Sequence, residues 1–118
     1  MDVSSIVSGV DLGEWFPIQG TNASVKIQII RPFKMREIRE QCRQSNGRTD
    51  LVALNDAIRD AAVMDWKGIE KDGTALPCTP ENKKLLDENW MDFNSLWNSV
   101  ITSNAEERAR LLEQKRKN

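Results

Sequence analysis

The chain has 118 residues, 39% of them hydrophobic and 30% charged, which is enough for one domain with a modest core. Its 17 basic and 18 acidic residues nearly cancel, so no strong overall field would attract nucleic acid or an anionic membrane. Histidine does not occur in the sequence, which removes the most common general base and the most common metal ligand. We therefore expect no enzyme activity, no catalytic residue, no metal site and no cofactor.

The sequence also bears on the compartment. No stretch approaches the roughly 18 consecutive apolar residues that a membrane span requires. Residues 1–9 contain an acid and two adjacent serines instead of a basic region followed by an apolar one, so we expect no signal peptide, and residues 1–12 are expected to be a flexible N-terminus. Cys42 and Cys78 lack a CxxC spacing, and such sparse cysteine favours a reducing compartment, although a disulfide between them stays open.

Two short segments around a turn predict an N-terminal β-hairpin. Residues 14–18 are mostly apolar, residues 20–23 have turn chemistry, and residues 24–31 alternate apolar and polar side chains with β-branched residues. Pro32 is expected to end the second strand. Because a lone hairpin is marginally stable in water, helices must cover its apolar face.

Four later segments have the pattern of helices. Residues 34–44 are good helix formers, residues 50–64 have an apolar face after a cap at Thr49 or Asp50, and a helix over 80–89 begins with Thr79-Pro80. The apolar face predicted for residues 50–64 consists of Leu51, Leu54, Ile58, Ala61 and Ala62. The fourth predicted helix follows residue 89, and its apolar face consists of Phe93, Leu96, Trp97, Val100 and Ile101.

The segment 65–78 breaks the helical period. Asp72-Gly73 within it is a tight-turn signal, and short strands on either side of that turn are an open alternative. The predicted fold is therefore α+β, with an N-terminal β-hairpin packed against about four helices. Residues 13–104 are expected to form a single domain. Residues 105–118 are mostly charged. Acidic residues in this segment are followed four positions later by basic ones, the order that stabilises a helix, which indicates a charged helical tail.

A basic stripe is the feature that most favours nucleic acid. Arg36, Arg39 and Arg43 share one side of a predicted helix within the basic stretch 31–48. Two glutamates interrupt the stripe, and no tyrosine or tryptophan accompanies it for base stacking. A solvated helix face is the preferred interpretation, and a nucleic-acid-binding regulator remains an alternative.

Four tryptophans without any tyrosine are unusual for a chain of this size. Trp66 is expected to anchor the 65–78 connection onto the helices, with Gly68 allowing a turn that a side chain would strain. Because tryptophan is enriched in binding hot spots, Trp90, Phe93 and Trp97 are the candidate protein-binding residues. Trp97 shares its face with other apolar residues, so a core position is the alternative for it.

A family resemblance is carried by three strings in this order: Asp65-Trp66-Lys67-Gly68-Ile69, Asp72-Gly73, and Leu76-Pro77-Cys78-Thr79-Pro80-Glu81-Asn82. This run resembles the tail assembly chaperones of long-tailed, siphovirus-type bacteriophages and prophages. In that family a helix leads into a Trp-x-Gly-Ile/Val unit, followed by an Asp-Gly turn, a Leu-Pro unit, a Thr-Pro-Glu helix start and a charged helical tail. The opening Gly13-Glu14-Trp15 also fits, and the resemblance covers residues 12–112 except for the unmatched segment 89–103.

The resemblance implies a non-enzymatic protein that binds the phage tape measure protein and delivers it to the tail tube (major tail) subunits. Such chaperones act in the bacterial host cytoplasm, are absent from the mature virion, and in many phages also have a longer frameshifted form. Self-association is left open, and no nucleic-acid or membrane partner is implied. The first alternative is a connector or tail-completion protein that stays in the virion, and the second is the regulator that uses residues 31–48.

Overall fold

The computed structural model describes residues 13–103 and residue 110. The predicted flexible N-terminus, residues 1–12, and all but one residue of the predicted tail, 105–118, lie outside the described residues. The described part has a three-stranded antiparallel sheet, a small two-stranded hairpin and four helices, which confirms the predicted α+β class. In chain order the elements are β1 (Glu14–Pro17), β2 (Ser24–Ile27), α1 (Pro32–Gln41), α2 (Leu51–Ala62), β3 (Val63–Lys67), β4 (Glu70–Lys71), β5 (Thr74–Ala75), α3 (Pro80–Asn89) and α4 (Met91–Thr102).

The main sheet has β2 at its centre. β1 pairs with β2 as the predicted hairpin, and β3 pairs with the other side of β2, so that Phe16, Val25 and Trp66 form one row across the sheet. All three side chains are buried on the face that the helices cover. The third strand is a correction to the sequence analysis, which continued the second helix to residue 64. In the structure α2 ends at Ala62, and the next residue already belongs to β3.

Side-chain caps set the start of two helices. The Asp50 carboxylate accepts hydrogen bonds from the backbone N–H groups of Val52 and Ala53, both at 3.1 Å. The Thr79 hydroxyl accepts from the backbone N–H of Asn82 at 3.2 Å, with proline at the first helical position. Pro32 does not end a strand as expected, because β2 stops at Ile27 and the fixed φ of proline suits the first turn of α1. In the described part of the chain, no helix has both the length and the apolar character needed to cross a membrane.

The core lies between the sheet and the helices α2 and α4. Its largest fully buried side chains are Phe16, Val25, Ile27, Val63, Phe93, Trp97 and Val100. Helix α1 packs against α2, and its buried residue Ile38 lies outside this main core. The helix that carries the basic stripe is therefore a peripheral one.

Gly68 lies close to the backbone of Asn22 and Ala23, and substitution of this glycine tests how much that close packing matters. It has φ +77°, and a Cβ atom there would lie 2.6 Å from the Asn22 carbonyl oxygen and 3.0 Å from the Ala23 Cα. Gly68→Ala is therefore expected to cost more than the roughly 1–3 kcal/mol of left-handed backbone strain, because the 18–23 turn must also move. The matched control is Gly73→Ala, since Gly73 has φ +80° but nothing within 4 Å. Urea denaturation should give the larger loss for Gly68→Ala, and equal losses would contradict the importance of the close approach.

Candidate protein-binding surface

Cysteines and clusters of acidic side chains are the groups in this chain that could bind a metal ion or act as nucleophiles. Among them, no group of three or more cysteine, aspartate or glutamate side chains is placed to hold a metal ion. Both cysteines are free, with Cys42 buried and Cys78 half-buried. Burial, more than the nearby Asp65, raises the pKa of the Cys78 thiol against the opposing effect of Lys83. The thiol is therefore protonated at neutral pH and is a poor nucleophile.

Trp66 lies in the core and joins three parts of the chain. Its indole N–H donates to the Leu76 carbonyl oxygen at 2.6 Å, which ties β3 to the segment before α3. Its ring meets Phe93 of α4 edge to face, with the ring centroids 5.9 Å apart. The structure thus places Trp66 and Gly68 at packed positions between the sheet, the 18–23 turn and α4.

The three candidate binding residues divide into two groups. Phe93 and Trp97 are each only 1% exposed, because they lie on the inward face of α4 together with Val100. This corrects their assignment as binding residues, since neither can touch a partner directly in this structure. Trp90 is half-buried at the corner between α3 and α4, and its ring stacks on Phe93 with the centroids 6.5 Å apart. Trp90 therefore remains as the accessible candidate.

A buried ionic network holds α2, α3 and α4 together. Arg59 of α2 is 2% exposed, and its guanidinium reaches Asp56 at 3.0 Å, Asp60 at 3.1 Å and Asp87 of α3 at 3.2 Å. Burial by itself would lower the pKa of Arg59, but the three carboxylates outweigh it and the pKa is raised. Asp87 also accepts a hydrogen bond from the Trp97 indole N–H at 2.7 Å. No local sequence pattern predicts this network, because its two central members, Arg59 and Asp87, are 28 positions apart in the chain.

Two further contacts join α2 to α3. The Lys83 ammonium, near the start of α3, donates to the Asp60 carbonyl oxygen near the end of α2 at 3.1 Å. Further along α3, Asp87 meets Arg59, which also holds Asp56 one turn earlier in α2. These contacts join α3 to the second half of α2.

Large apolar side chains are exposed at the start of α2 and at the corner between α3 and α4. We call Leu51, Val52, Trp90 and Met91 the corner surface. Leu51 is 72%, Val52 73% and Met91 78% exposed, and Trp90 is half-buried beside Met91. Leu51 was expected on a buried face, but the first turn of α2 leaves it exposed. Phe33, in the first turn of α1, is another large apolar side chain with high exposure, at 67%.

Acidic and basic side chains both lie near these apolar residues. Asp50 caps α2 beneath Val52, and Glu88 and Asp92 flank the corner between α3 and α4. Arg43 pairs with Thr49 in a β-bridge and Arg48 is exposed, so two cations precede the first turn of α2, while Lys84 is paired with Glu88 at 3.9 Å.

A shallow open groove begins beside the corner surface. It has a volume of about 380 Å³ and lies between α4 and the residues that follow β1, with Ile18 and Leu96 as apolar lining residues. Asp92, the residue after Met91, lines its wall.

The described residues define a small α+β protein with a buried ionic network and an apolar corner. No protein family model matches the chain, and it likewise matches no curated protein and no solved structure.

Proposed function

We propose that the chain is a tail assembly chaperone of a long-tailed bacteriophage or prophage, which binds the tape measure protein and delivers it to tail tube subunits. The observation that carries this proposal is the ordered run from Asp65 to Asn82. Those residues form the end of β3, the Gly68 approach, the β4–β5 hairpin with its Asp72-Gly73 turn, and the capped start of α3. Action in the host cytoplasm and absence from the mature virion are parts of the same proposal.

The physical requirements of such a role support the proposal. A tape measure protein exposes long apolar helical surface until the tail tube covers it, so its chaperone needs an apolar contact surface and no reactive centre. The corner surface offers three apolar side chains that are each more than 70% exposed. Aromatic side chains such as Trp90 often dominate the binding energy of such contacts.

Co-expression with the tape measure protein of the same phage tests the proposal. We expect the tape measure protein to become soluble and to co-purify with this chain. Because buried apolar contacts supply most of the affinity, binding should fall less than about tenfold between 50 and 200 mM salt, whereas a protein with six or more phosphate contacts loses roughly 10³-fold. A tape measure protein that is equally insoluble with and without the chain, and does not co-purify at low salt, would show that the proposal is wrong.

Two measurements separate the rival functions. Mass spectrometry of purified virions should not detect the chaperone, whereas a connector or tail-completion protein would be a stable component of the particle. The regulator has one structural observation in its favour, since Arg36, Arg39 and Arg43 are all exposed, although Arg43 is paired with Glu40 at 3.2 Å. Retention on nucleic acid that falls steeply with salt would favour that function.

A further inference from the structure

We infer that a pocket lined by residues of α1, α2, β3 and α3 binds a small organic carboxylate, whose head group is held by the Lys83 ammonium. We call this space the Lys83 pocket. The inference does not depend on the proposed function, because it rests on the contacts around Lys83 and on the residues that line the pocket.

Lys83 is a buried cation that has no ion pair with a carboxylate in the described part of the chain. It is 8% exposed, and its ammonium donates to the Asp60 carbonyl oxygen at 3.1 Å. The carboxylate of Asp60 lies instead against the Arg59 guanidinium, at 3.1 Å. An ammonium has three N–H donors, and a buried charge is costly unless an opposite charge pairs with it. A bound anion would therefore satisfy Lys83 where the described residues do not.

The Lys83 pocket has the size and the lining of a small-molecule site. Its volume is about 540 Å³, whereas such sites span roughly 300–1,000 Å³. Lys83 and Asp60, the two partners of the hydrogen bond described above, both line it. Gln28 and Gln41 are its uncharged polar lining residues. The apolar part of the lining comes from α1, α2 and β3 and consists of Ile38, Ala57, Ala61, Val63 and Met64.

The charged residues of the lining favour an anion over a cation. They are Lys34, Asp60 and Lys83, and the one carboxylate among them is already engaged by Arg59. Lys34 is exposed and lies 3.8 Å from Glu37, a surface pair that contributes little and leaves the ammonium accessible. A carboxylate in the pocket thus meets one buried and one exposed ammonium. A short apolar tail on the same molecule has the apolar lining to contact.

Three small molecules titrated into the full chain at constant ionic strength test the inference. Hexanoate should cause saturable shifts of backbone amide signals in ¹H–¹⁵N NMR spectra, centred on lining residues such as Ala61, Met64 and Lys83. Hexanamide has a tail of the same length and no charge, and acetate has the same head group without the tail. Each should bind at least tenfold more weakly than hexanoate, because one lacks the ion pair and the other lacks the apolar contacts.

Three variants locate the binding site. Lys83→Met keeps an unbranched apolar side chain and removes the ammonium, so it should weaken hexanoate binding at least tenfold. Lys84→Met is the matched control, because Lys84 is the next residue but is exposed and paired with Glu88 at 3.9 Å, and it should leave the affinity unchanged. Ala57→Leu fills the pocket without removing a charge and should also weaken binding at least tenfold. It provides the test if Lys83→Met does not fold, and circular dichroism would verify the fold of each variant.

Two kinds of result would overturn the inference. Equal affinities for hexanoate and hexanamide, or for hexanoate and acetate, would show that the pocket does not select a carboxylate with an apolar tail. Equal effects of Lys83→Met and Lys84→Met, or no effect of Ala57→Leu, would show that any binding occurs elsewhere. Because these titrations contain only this chain and a small molecule, their failure leaves the proposed function standing, and failure of the co-expression experiment leaves the Lys83 pocket standing.

Discussion

Replacing Asp87 by alanine will lower the free energy of unfolding by about 3–5 kcal/mol, the range found when one partner of a buried ion pair is removed. The substitution takes a carboxylate from the Arg59 guanidinium at 3.2 Å and removes the acceptor of the Trp97 indole N–H. Both groups stay in the interior, where an uncompensated charge and an unsatisfied donor are costly. Such a loss is a large part of the roughly 5–15 kcal/mol that stabilises a typical domain.

The neighbouring acid gives the control for this prediction. Glu88 is exposed and pairs with Lys84 at 3.9 Å, so Glu88→Ala should change stability by less than about 1 kcal/mol. The loss of stability for Asp87→Asn should lie between the losses for Asp87→Ala and Glu88→Ala. The amide oxygen still accepts from the Trp97 indole, but the charge on Arg59 is less compensated. Chemical denaturation of the three variants would show this order. A similar small loss for Asp87→Ala and Glu88→Ala would mean that the network does not stabilise the fold.

Trp66→Ala will destabilise the protein by about 3–5 kcal/mol, the usual cost of truncating a buried tryptophan. The change removes the edge-to-face contact with Phe93 and the hydrogen bond to the Leu76 carbonyl oxygen, and it leaves a cavity between β3 and α4. Trp66→Phe retains most of the packing and should lose about 0.5–1.5 kcal/mol with the hydrogen bond. A loss below about 1 kcal/mol for Trp66→Ala in denaturant melts would show that this residue is not an anchor.

The parts of the fold that sequence reasoning predicted best are those set by local chemistry. Thr79 and Pro80 fixed the start of α3, and the turn chemistry of residues 20–23 located the β1–β2 hairpin. β3 was missed because it follows α2 without a connecting residue, so no turn signal separates the two elements. Its partner β2 lies about forty residues earlier in the chain, and no local pattern reports such a pairing.

The candidate site was predictable only in part, for a related reason. Composition and helix position drew attention to Trp90, which the structure leaves partly exposed. Periodicity groups Phe93 and Trp97 correctly on one face, but it cannot say whether that face meets the core or a partner, and here it meets the core. The exposure of Leu51 depends on where α2 extends beyond its neighbours, which is a property of the packed structure and not of the helix alone.

The position of α4 affects how the chain can fold during its synthesis. The sheet needs residues up to Lys67, and its apolar face is closed by Phe93, Trp97 and Val100, which leave the ribosome several seconds after the first hairpin at elongation rates of roughly 5–20 residues per second. Until then, the apolar side chains of β1 and β2 have no α4 to cover them, and a hairpin without such cover is only marginally stable in water. Productive folding is thus postponed until α4 has been translated, and a ribosome that stalls before it would leave a chain prone to aggregation.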